Sequence, residues 1–428
     1  MKKRILALLA ASTLVIGLLA GCGGNNAPAE TPATPPAETP APDPAPEGPT
    51  SFSMRVWAPQ NQIDNDFLKN VCQAWADKNG YTVDWTFEVV GEDVAKDEIL
   101  RDISMAGDVF HFANDQLEEL ADAGALLRLG PDQEQQIKDN FPSEVQRTVM
   151  KGDAYFAFPF THNTFFMFYN KDLLTADDVK TMEGIMAVDT PDGAYNFAFS
   201  AAGGWMLSAW YYGAGLHVFG PNGDDRAAGS DWNSQTGVDV TMYIVNLLND
   251  PNVIFEPGNL TELIADGRLG AWFDGSWNNQ TYVDALGDSL GYAKLPTFNL
   301  NGTDTQLLGF YGSKAIGVNA QSANPAQAMS LAAWLASDDV QHQRFMETGT
   351  VPASNTASAS PEVQADPVAA VIIEEVNYAS VMQPTAAVFG ANFWSNVAGF
   401  VDELRGNLIT ADNVQERLDA LVSALSGT

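Results

Sequence analysis

The chain has 428 residues, of which 46% are hydrophobic, a length and apolar content that allow two or three domain-sized cores. Its 54 Asp and Glu residues outnumber its 21 Lys and Arg residues and give a net charge of −33. A surface this acidic repels nucleic acid phosphates and anionic lipid headgroups, so the composition argues against both as binding partners.

The N-terminus has the pattern of a bacterial export signal. The basic residues Lys2, Lys3 and Arg4 follow Met1, and Ile5–Ala20 is an apolar run too short for a comfortable transmembrane helix. The run ends in Leu-Ala-Gly-Cys, which resembles a lipoprotein lipobox and predicts cleavage of residues 1–21, with diacylglycerol on the Cys22 thiol. The alternative is an ordinary secretory signal in which Cys22 is incidental.

Residues 22–50 are rich in Pro, Ala, Glu and Thr and contain little that a core could bury. This composition predicts a disordered, partly polyproline-like linker between the lipidated cysteine and a folded region. The protein is thus expected on the outer face of the cell membrane, lipid-anchored but free to swing. Cleavage would leave Cys72 as a lone thiol, in a helical pattern that predicts burial.

The first part of the folded region alternates between strands and helices. The predicted elements are a strand over 51–57, a helix over 63–79, a strand over 81–90, a helix over 93–105, a strand over 108–112, and a helix that Gly124 ends. This alternation predicts βαβ units and a largely parallel sheet. Ligands of such sheets lie beyond the carboxyl ends of the strands, which places Gln60, Asn61 and Gln62 on one rim with Phe112–Gln116.

An aromatic stretch, Phe158–Leu174, separates this part from a second alternating region. By itself it predicts a buried strand followed by a turn. The later predicted strands cover 195–200, 270–274, 291–295 and 308–319. The later predicted helices cover 204–212, 243–249, a segment beginning near Ser276 as N-cap, 326–335, 338–347, 361–375, 390–405 and 411–425. The whole pattern predicts two α/β lobes.

Four segments carry a family resemblance: DVFHFANDQLEELADAGALLRL, FPFTHNTFFMFYNKDLL, GRLGAWFDGSW and GSKAIGVNAQSANPAQAMSLAAWLASDDVQHQRFMETGTVPA. With the closing NFWSNV they cover nearly all of residues 51–428, in the order and spacing of the family. The chain resembles the sugar-binding lipoproteins of ABC importers, similar to maltose- and maltodextrin-binding proteins.

The resemblance implies an α/β, two-lobed periplasmic-binding-protein-like (type II) fold with a ligand cleft between the lobes. The expected first lobe is 51–160 with 314–355, and the expected second lobe is 163–307 with 358–428. The segments 158–163 and 308–313 would then be the hinges. Each lobe would contain discontinuous sequence, which explains a strand–helix module late in the chain.

Sugars offer apolar C–H faces to aromatic rings and hydroxyls to polar side chains, so a sugar cleft needs both. The resemblance implies stacking aromatics on the first lobe at Phe112 and on the second lobe at Trp205, Trp277 and Trp394, although core packing is the alternative for each tryptophan. It also implies a hydroxyl acceptor at Asp115. Matching positions at which this chain departs from the maltodextrin pattern are Asn61 and Gln62 in place of an acidic–basic pair, Gln116 in place of an arginine, and Asn163 in place of a glutamate. Together, the predicted ligand-binding residues are Gln60, Asn61, Gln62, Phe112, Asp115, Gln116, Asn163, Gly204, Trp205, Trp277 and Trp394.

Motifs for catalysis or metal binding are weak in this sequence. Gly287–Gly291 fits G-x-S-x-G, but a helix pattern precedes the serine and a strand pattern follows it, opposite to a nucleophile elbow. The four histidines are scattered without zinc spacing, and Asp224-Asp225 lacks the spacing of an EF-hand. We therefore expect no catalytic residue, no metal and no cofactor.

The sequence hypothesis is a monomeric, non-enzymatic receptor that captures an oligosaccharide and delivers it to an ABC permease. Two alternatives remain open at this point. The same fold could bind a non-sugar solute, or a pair among the many carboxylates could make the protein a surface glycosidase.

Overall fold

The computed structural model describes residues 50–64 and 66–427. The predicted signal peptide (1–21), the lipidation of Cys22 and nearly all of the predicted linker lie outside the described residues. Among the described residues, no helix combines the length and apolar character needed to cross a bilayer.

Strands and helices alternate along most of the described chain. In chain order the strands are β1 (Ser51–Ala58), β2 (Thr82–Val89), β3 (Val109–Ala113), β4 (Met150–Lys151), β5 (Ala154–Tyr155), β6 (Ala157–Asn163), β7 (Phe165–Asn170), β8 (Tyr195–Phe199), β9 (Val253–Phe255), β10 (Leu269–Gly275), β11 (Leu290–Ala293), β12 (Thr297–Leu300), β13 (Thr303–Gln306), β14 (Gly309–Val318) and β15 (Ser380–Met382). The helices are α1 (Gln60–Ile63), α2 (Phe67–Asn79), α3 (Ala95–Arg101), α4 (Leu117–Asp122), α5 (Pro131–Asn140), α6 (Ser143–Arg147), α7 (Met182–Ala187), α8 (Ser208–Gly213), α9 (Gln235–Leu248), α10 (Leu260–Ala265), α11 (Asn279–Leu286), α12 (Pro325–Leu335), α13 (Asp338–Thr348), α14 (Asn355–Ser358), α15 (Pro361–Gln364), α16 (Pro367–Tyr378), α17 (Ala387–Arg405) and α18 (Val414–Ser426).

The first lobe is built on a sheet with the order β15-β14-β3-β1-β2, in which β6 also pairs with β14. Strand β1 runs parallel to β2 and β3, whereas β14 runs antiparallel to β3 and β6. Helices α2 and α12 contribute to the core of this lobe through Trp75, Leu331 and their neighbours. Cys72 lies fully buried on α2, as predicted, and burial raises the pKa of its thiol, which keeps it protonated and inert.

The second lobe is built on a sheet with the order β11-β7-β10-β8-β9. One face packs against α8, α9, α17 and α18 in an aromatic-rich core, where the rings of Tyr211 and Trp232 stack at 3.9 Å between centroids. The other face packs against α10, α11 and α16, where Phe168 and Trp272 stack at 5.8 Å. Because both faces are covered, β7 and β10 are continuous buried runs and do not alternate between apolar and polar residues.

The aromatic stretch at 158–174 forms the first crossing between the two sheets. Strand β6 belongs to the first sheet and β7 to the second, and Thr164 alone separates them. The hydroxyl of Thr164 donates a hydrogen bond to the carbonyl of Phe310, 3.0 Å away, which ties this crossing to the start of β14. The two predicted hinge segments, 158–163 and 308–313, therefore lie side by side.

Strands β1, β2 and β3, on which the parallel sheet was predicted, are parallel as expected. The complete sheets are mixed, because β6 and β7 run antiparallel to the strands beside them. Strand β15 pairs with Gly309–Tyr311 of β14, which lie within the predicted hinge segment 308–313. One sequence prediction differs from the structure. Ser276 is not an N-cap: it begins a 3-10 turn, Ser276–Asn278, and α11 follows that turn.

Candidate functional site

A cavity of about 90 Å³ lies between the two lobes. The first lobe lines it with Asn61, Gln62, Glu92, Phe160, Thr161, His162, Lys314, Thr348, Gly349 and Thr350, and the second lobe with Ser276, Trp277, Asn279 and Gln280. Several of these residues directly follow the carboxyl ends of β1, β2 and β10, the edge at which sheets of this kind bind ligands. We therefore take this cavity as the candidate site.

Trp277 is the large aromatic side chain that the second lobe presents to the cavity. It is 37% exposed, and its ring centroid lies 5.9 Å from that of Trp205. The ring rests against Gly275, where an added Cβ would lie 2.5 Å from Cε3 and closer still to two other ring atoms. Only a glycine at the end of β10 leaves room for the ring in this position.

A buried carboxylate fixes the turn that carries Trp277. Asp274 accepts hydrogen bonds from the backbone N–H of Gly275 at 2.7 Å, from Asn278 Nδ2 at 2.9 Å and from the hydroxyl of Tyr282. Burial raises the pKa of Asp274, and these donors oppose that shift by stabilising the charged form. The Asp274 side chain thus stabilises the turn that positions Trp277.

The first lobe brings a charged pair to the same cavity. The Lys314 ammonium lies 2.6 Å from Glu92 Oε2, and both side chains are largely buried. The same ammonium lies over the Trp277 ring, 4.9 Å from its centroid, so this contact spans the two lobes. Behind the pair, burial together with the charges of Arg344 and Lys314 lowers the pKa of His111 to about 3, and its imidazole is neutral at neutral pH.

Gln62 offers a free acceptor beside this pair. The side chain is 4% exposed, yet no hydrogen-bond donor within the described chain reaches its Oε1. A buried carbonyl oxygen without a partner costs free energy, which a donor on a bound ligand would recover.

Three predicted site residues, Phe112, Gln116 and Gly204, lie in packed interiors and outside the lining of the cavity. Phe112 is fully buried in the first core next to Phe110, so it has no face for a ligand. The Gln116 amide accepts from the backbone N–H of Lys96 at 2.7 Å and donates to the carbonyls of Glu92 and Asp93, so it braces the loop after β2. At Gly204 an added Cβ would meet Val397 at 2.5 Å, which assigns this glycine to the packing of α17.

The remaining predicted residues are spread around the cavity. Asn61 and Gln62 line it, and Trp205 lies outside the lining with its ring against that of Trp277. Gln60, at the start of α1, is exposed, and its amide donates a hydrogen bond to Asp64, just after that helix. The side chains that lie outside the cavity lining are Asn163, buried at the end of β6; Asp115, half-buried in the 3-10 turn before α4; and Trp394, half-buried on α17 against Phe389 and Phe393.

Asp115 has an unusual titration for a carboxyl group. Loss of hydration, aided by the charges of Glu119 and Asp93 and opposed by its own backbone N–H and by Lys96, raises its pKa to about 7. An unfolded aspartate titrates near pKa about 3.9. Protonation of Asp115 therefore stabilises the folded protein. This stabilisation is complete below about pH 4 and is lost as the pH rises through 7.

We expect Asp115→Asn, which keeps a neutral side chain at every pH, to gain in melting temperature relative to the wild type as the pH rises from about 4 to above 7. Thermal unfolding followed by circular dichroism at four pH values in this range measures the difference between the two proteins. A difference that stays constant across the range would contradict the raised pKa.

The support of Trp277 by Gly275 gives a second prediction. Gly275→Ala is expected to push the indole ring out of position and to weaken ligand binding by about 10-fold, or ~1.4 kcal/mol. Titration calorimetry checks the affinity. Gly258→Ala is the matched control, since an added Cβ there meets nothing within 4 Å. Equal affinities of the two variants would exclude the proposed support.

Sequence reasoning missed several cavity residues. The rule that places ligands at the carboxyl ends of strands could have found Glu92, which follows β2, and Asn279 with Gln280, which follow β10. No comparable signal exists for Lys314 or for Thr348–Thr350. Lys314 lies in the middle of β14, which runs antiparallel to β3 and β6, and the two threonines lie at the end of α13, in a distant part of the sequence.

Other candidate sites in the described chain are weaker. A larger cavity, of about 320 Å³, lies on the second lobe between α9 and the segment that joins α17 to α18, but aromatic and charged side chains are absent from its lining. Within residues 50–64 and 66–427, no three His, Cys, Asp or Glu side chains gather where a metal ion could bind. Ser289 lies in a 3-10 turn with α11 before it and β11 after it, as its sequence context predicted, so the nucleophile elbow is absent there.

Two α/β lobes joined by crossing strands, with a polar and aromatic cavity between them, define a solute-binding receptor. The chain belongs to the family of bacterial extracellular solute-binding proteins, whose sequence profile matches residues 70–371. The predicted family and the predicted two-lobed α/β fold are thereby confirmed.

Individual relatives agree with this assignment. The galactooligosaccharide-binding protein of Bacillus subtilis (strain 168) is 27% identical over 288 residues, which are 63% of this chain and 66% of that relative, just under two thirds of its length. A solved structure described as being with acarbose is 34% identical and has a TM-score of 0.83, covering 88% of this chain and 98% of its own. The maltodextrin-binding protein MalE1 from L. casei BL23, solved without ligand, is 28% identical with a TM-score of 0.77, covering 88% and 99%.

Proposed function

We propose that this protein captures an oligosaccharide between its two lobes and delivers it to an ABC importer. The observation that carries the proposal is Trp277, a partly exposed indole held at the mouth of an interlobe cavity whose other lining groups are mostly polar. A pyranose presents a C–H face that packs on such a ring and hydroxyls that bond to the amides and hydroxyls around it. The names of the relatives, which refer to galactooligosaccharides, maltodextrins and acarbose, support the same ligand class.

The proposed contacts are those that the cavity brings together. Asn61 and Gln62 on the first lobe would bind hydroxyls, and Trp277, supported by Trp205, would stack against a ring. Contacts by Gln60, Asp115, Asn163 and Trp394 remain predictions.

The proposed mechanism is closure of the lobes around the ligand. Residues 51–160 and 314–355 would move as one body, and 163–307 with 358–428, apart from β15, as the other. The paired crossings near Thr164 and Phe310 would take up the rotation. A ligand favours the closed state because only there does it contact both lobes.

The rest of the proposal concerns the setting of the protein. We propose that it is a monomer without catalytic activity, anchored by lipid on Cys22 to the outer face of the membrane. Tethering would raise its local concentration beside the permease without any new contact.

Titration calorimetry of the purified protein against malto-, galacto- and xylo-oligosaccharides tests the function. For at least one series we expect a dissociation constant of about 1 µM, which corresponds to a binding free energy of about −8 kcal/mol. Chromatography of the recovered sugar should show intact ligand, since released products would indicate a glycosidase. Failure to bind any of the three series would refute the sugar proposal and favour another class of solute.

A further inference from the structure

We propose that Lys314, Glu92 and Gln62 together bind adjacent hydroxyls of the sugar ring that stacks on Trp277, and thereby determine which sugar the cleft accepts. This inference rests on the proposed function, since it specifies the ligand contacts of the same cavity. All four residues line that cavity.

The Lys314 ammonium covers the face of the Trp277 ring on which a sugar would stack. Its Nζ lies over the Trp277 ring, 4.9 Å from the centroid, and 2.6 Å from Glu92 Oε2. A ring that stacks on this face of the indole occupies the same space, so the ammonium has to leave the ring when the sugar enters. The flexible lysine stem permits this movement while the ammonium stays close to Glu92.

The chemistry of the three side chains suits a pair of hydroxyls. Each hydroxyl can both donate and accept a hydrogen bond. Lys314 supplies only donors, whereas Glu92 and Gln62 Oε1 supply acceptors, and Gln62 Oε1 is buried without a donor from the described chain. Hydrogen bonds to charged groups are shorter and stronger than neutral ones, so the pair would discriminate strongly between a hydroxyl and a hydrogen.

The surroundings of the pair point to the same role. Glu92 and Lys314 keep only 8% and 18% of their side-chain surface exposed. Removing two charges from water is costly, and apolar side chains of similar size often serve stability equally well. Burial lowers the pKa of Arg344, behind Glu92, to about 10, so its guanidinium remains charged and adds to the positive potential there. A positive potential at this end of the cavity favours the partial negative charge of hydroxyl oxygens.

The test asks whether the Lys314 side chain contacts a particular ligand hydroxyl, by combining a protein variant with sugars that each lack one hydroxyl. Wild type and Lys314→Met are titrated with maltotriose and β-1,4-galactotriose, and with the monodeoxy analogues of each. We expect one or two analogues of the bound sugar to bind wild type at least ~10-fold more weakly than the parent. Lys314→Met should bind the parent at least ~10-fold more weakly, with little further penalty for those same analogues.

Controls separate this role from a structural one. Lys151→Met removes another lysine, which pairs with Asp122 on the first lobe away from the cavity, and it should keep wild-type affinity and the wild-type deoxy penalties. Glu92→Gln should reduce the penalty of the same analogues, because the two charges act together. Melting temperatures of all variants report on folding, and the deoxy selectivity is unaffected by a uniform loss of folded protein.

Two results would overturn the inference, and they are distinguishable from each other. If wild type binds a parent sugar while Lys314→Met keeps both its affinity and its deoxy penalties, the charged pair does not contact the ligand and the proposed function stands. If wild type binds neither trisaccharide nor any other oligosaccharide of the panel, the proposed function fails and the inference fails with it.

Discussion

Trp277→Ala is expected to weaken oligosaccharide binding by about 100-fold, or ~2.7 kcal/mol. Tryptophans in the centre of a binding surface dominate affinity because they bury a large flat area against the ligand. Here the indole is 37% exposed and lines the cavity, so a sugar that displaces the Lys314 ammonium can stack on it. The loss should appear in titration calorimetry with the sugar that binds the wild type.

Trp334→Ala is the matched control for this variant. Trp334 also lies half-buried under a lysine, with Lys78 Nζ 4.5 Å from its ring centroid, but it packs on α12 outside the cavity. Its loss should lower the melting temperature and leave the affinity of the folded protein within about 2-fold of wild type. If the two variants lose affinity equally, Trp277 acts through the fold and not through stacking.

Gly237→Ala is expected to destabilise the second lobe by roughly 3 kcal/mol or more. An added Cβ at Gly237 would lie 2.6 Å from the carbonyl carbon of Trp232 and closer still to its oxygen. That backbone cannot retreat, because the Trp232 ring is fully buried and stacked on Tyr211 at 3.9 Å. Differential scanning calorimetry should show a lowered unfolding transition.

Gly399→Ala is the matched control: it makes the same substitution but is not expected to destabilise the protein. Gly399 lies within α17, and an added Cβ there meets nothing within 4 Å. Alanine is the better helix former by roughly 1 kcal/mol, so this variant should be as stable as wild type or slightly more stable. If Gly237→Ala melts at a temperature as high as that of Gly399→Ala, the backbone at Trp232 can move to accommodate the added Cβ.

Local sequence patterns were sufficient for most elements of secondary structure. Helix α2 illustrates why: its apolar residues recur with helical spacing, and Gly80 ends it in a left-handed conformation with φ of 68°. By itself the run Phe158–Leu174 predicted one strand and a turn, but it forms two strands in different sheets. A buried apolar run carries no signal for the sheet to which it pairs. The expectation of a hinge at 158–163 came from the family resemblance, and the structure places the division at Thr164.

The sequence predicts which residues of the candidate site follow the end of a strand. It does not predict whether the side chain of such a residue faces the cavity or packs into the core. Asn61 and Gln62 follow a predicted strand, so the carboxyl-end rule places them on the rim of the sheet, and both line the cavity. Phe112 satisfied the same rule, yet its ring turns into the core, because successive side chains of β3 are covered on both faces of the sheet.

The sequence by itself determined the two α/β lobes, because hydrophobic periodicity is a local property of the chain, and its short motifs carried the resemblance to solute-binding proteins. Only the tertiary structure decided that Lys314 meets Glu92 and Trp277. Glu92 and Lys314 are 222 positions apart in the sequence, and Trp277 belongs to the other lobe. No local pattern records which side chains meet when the lobes fold against each other.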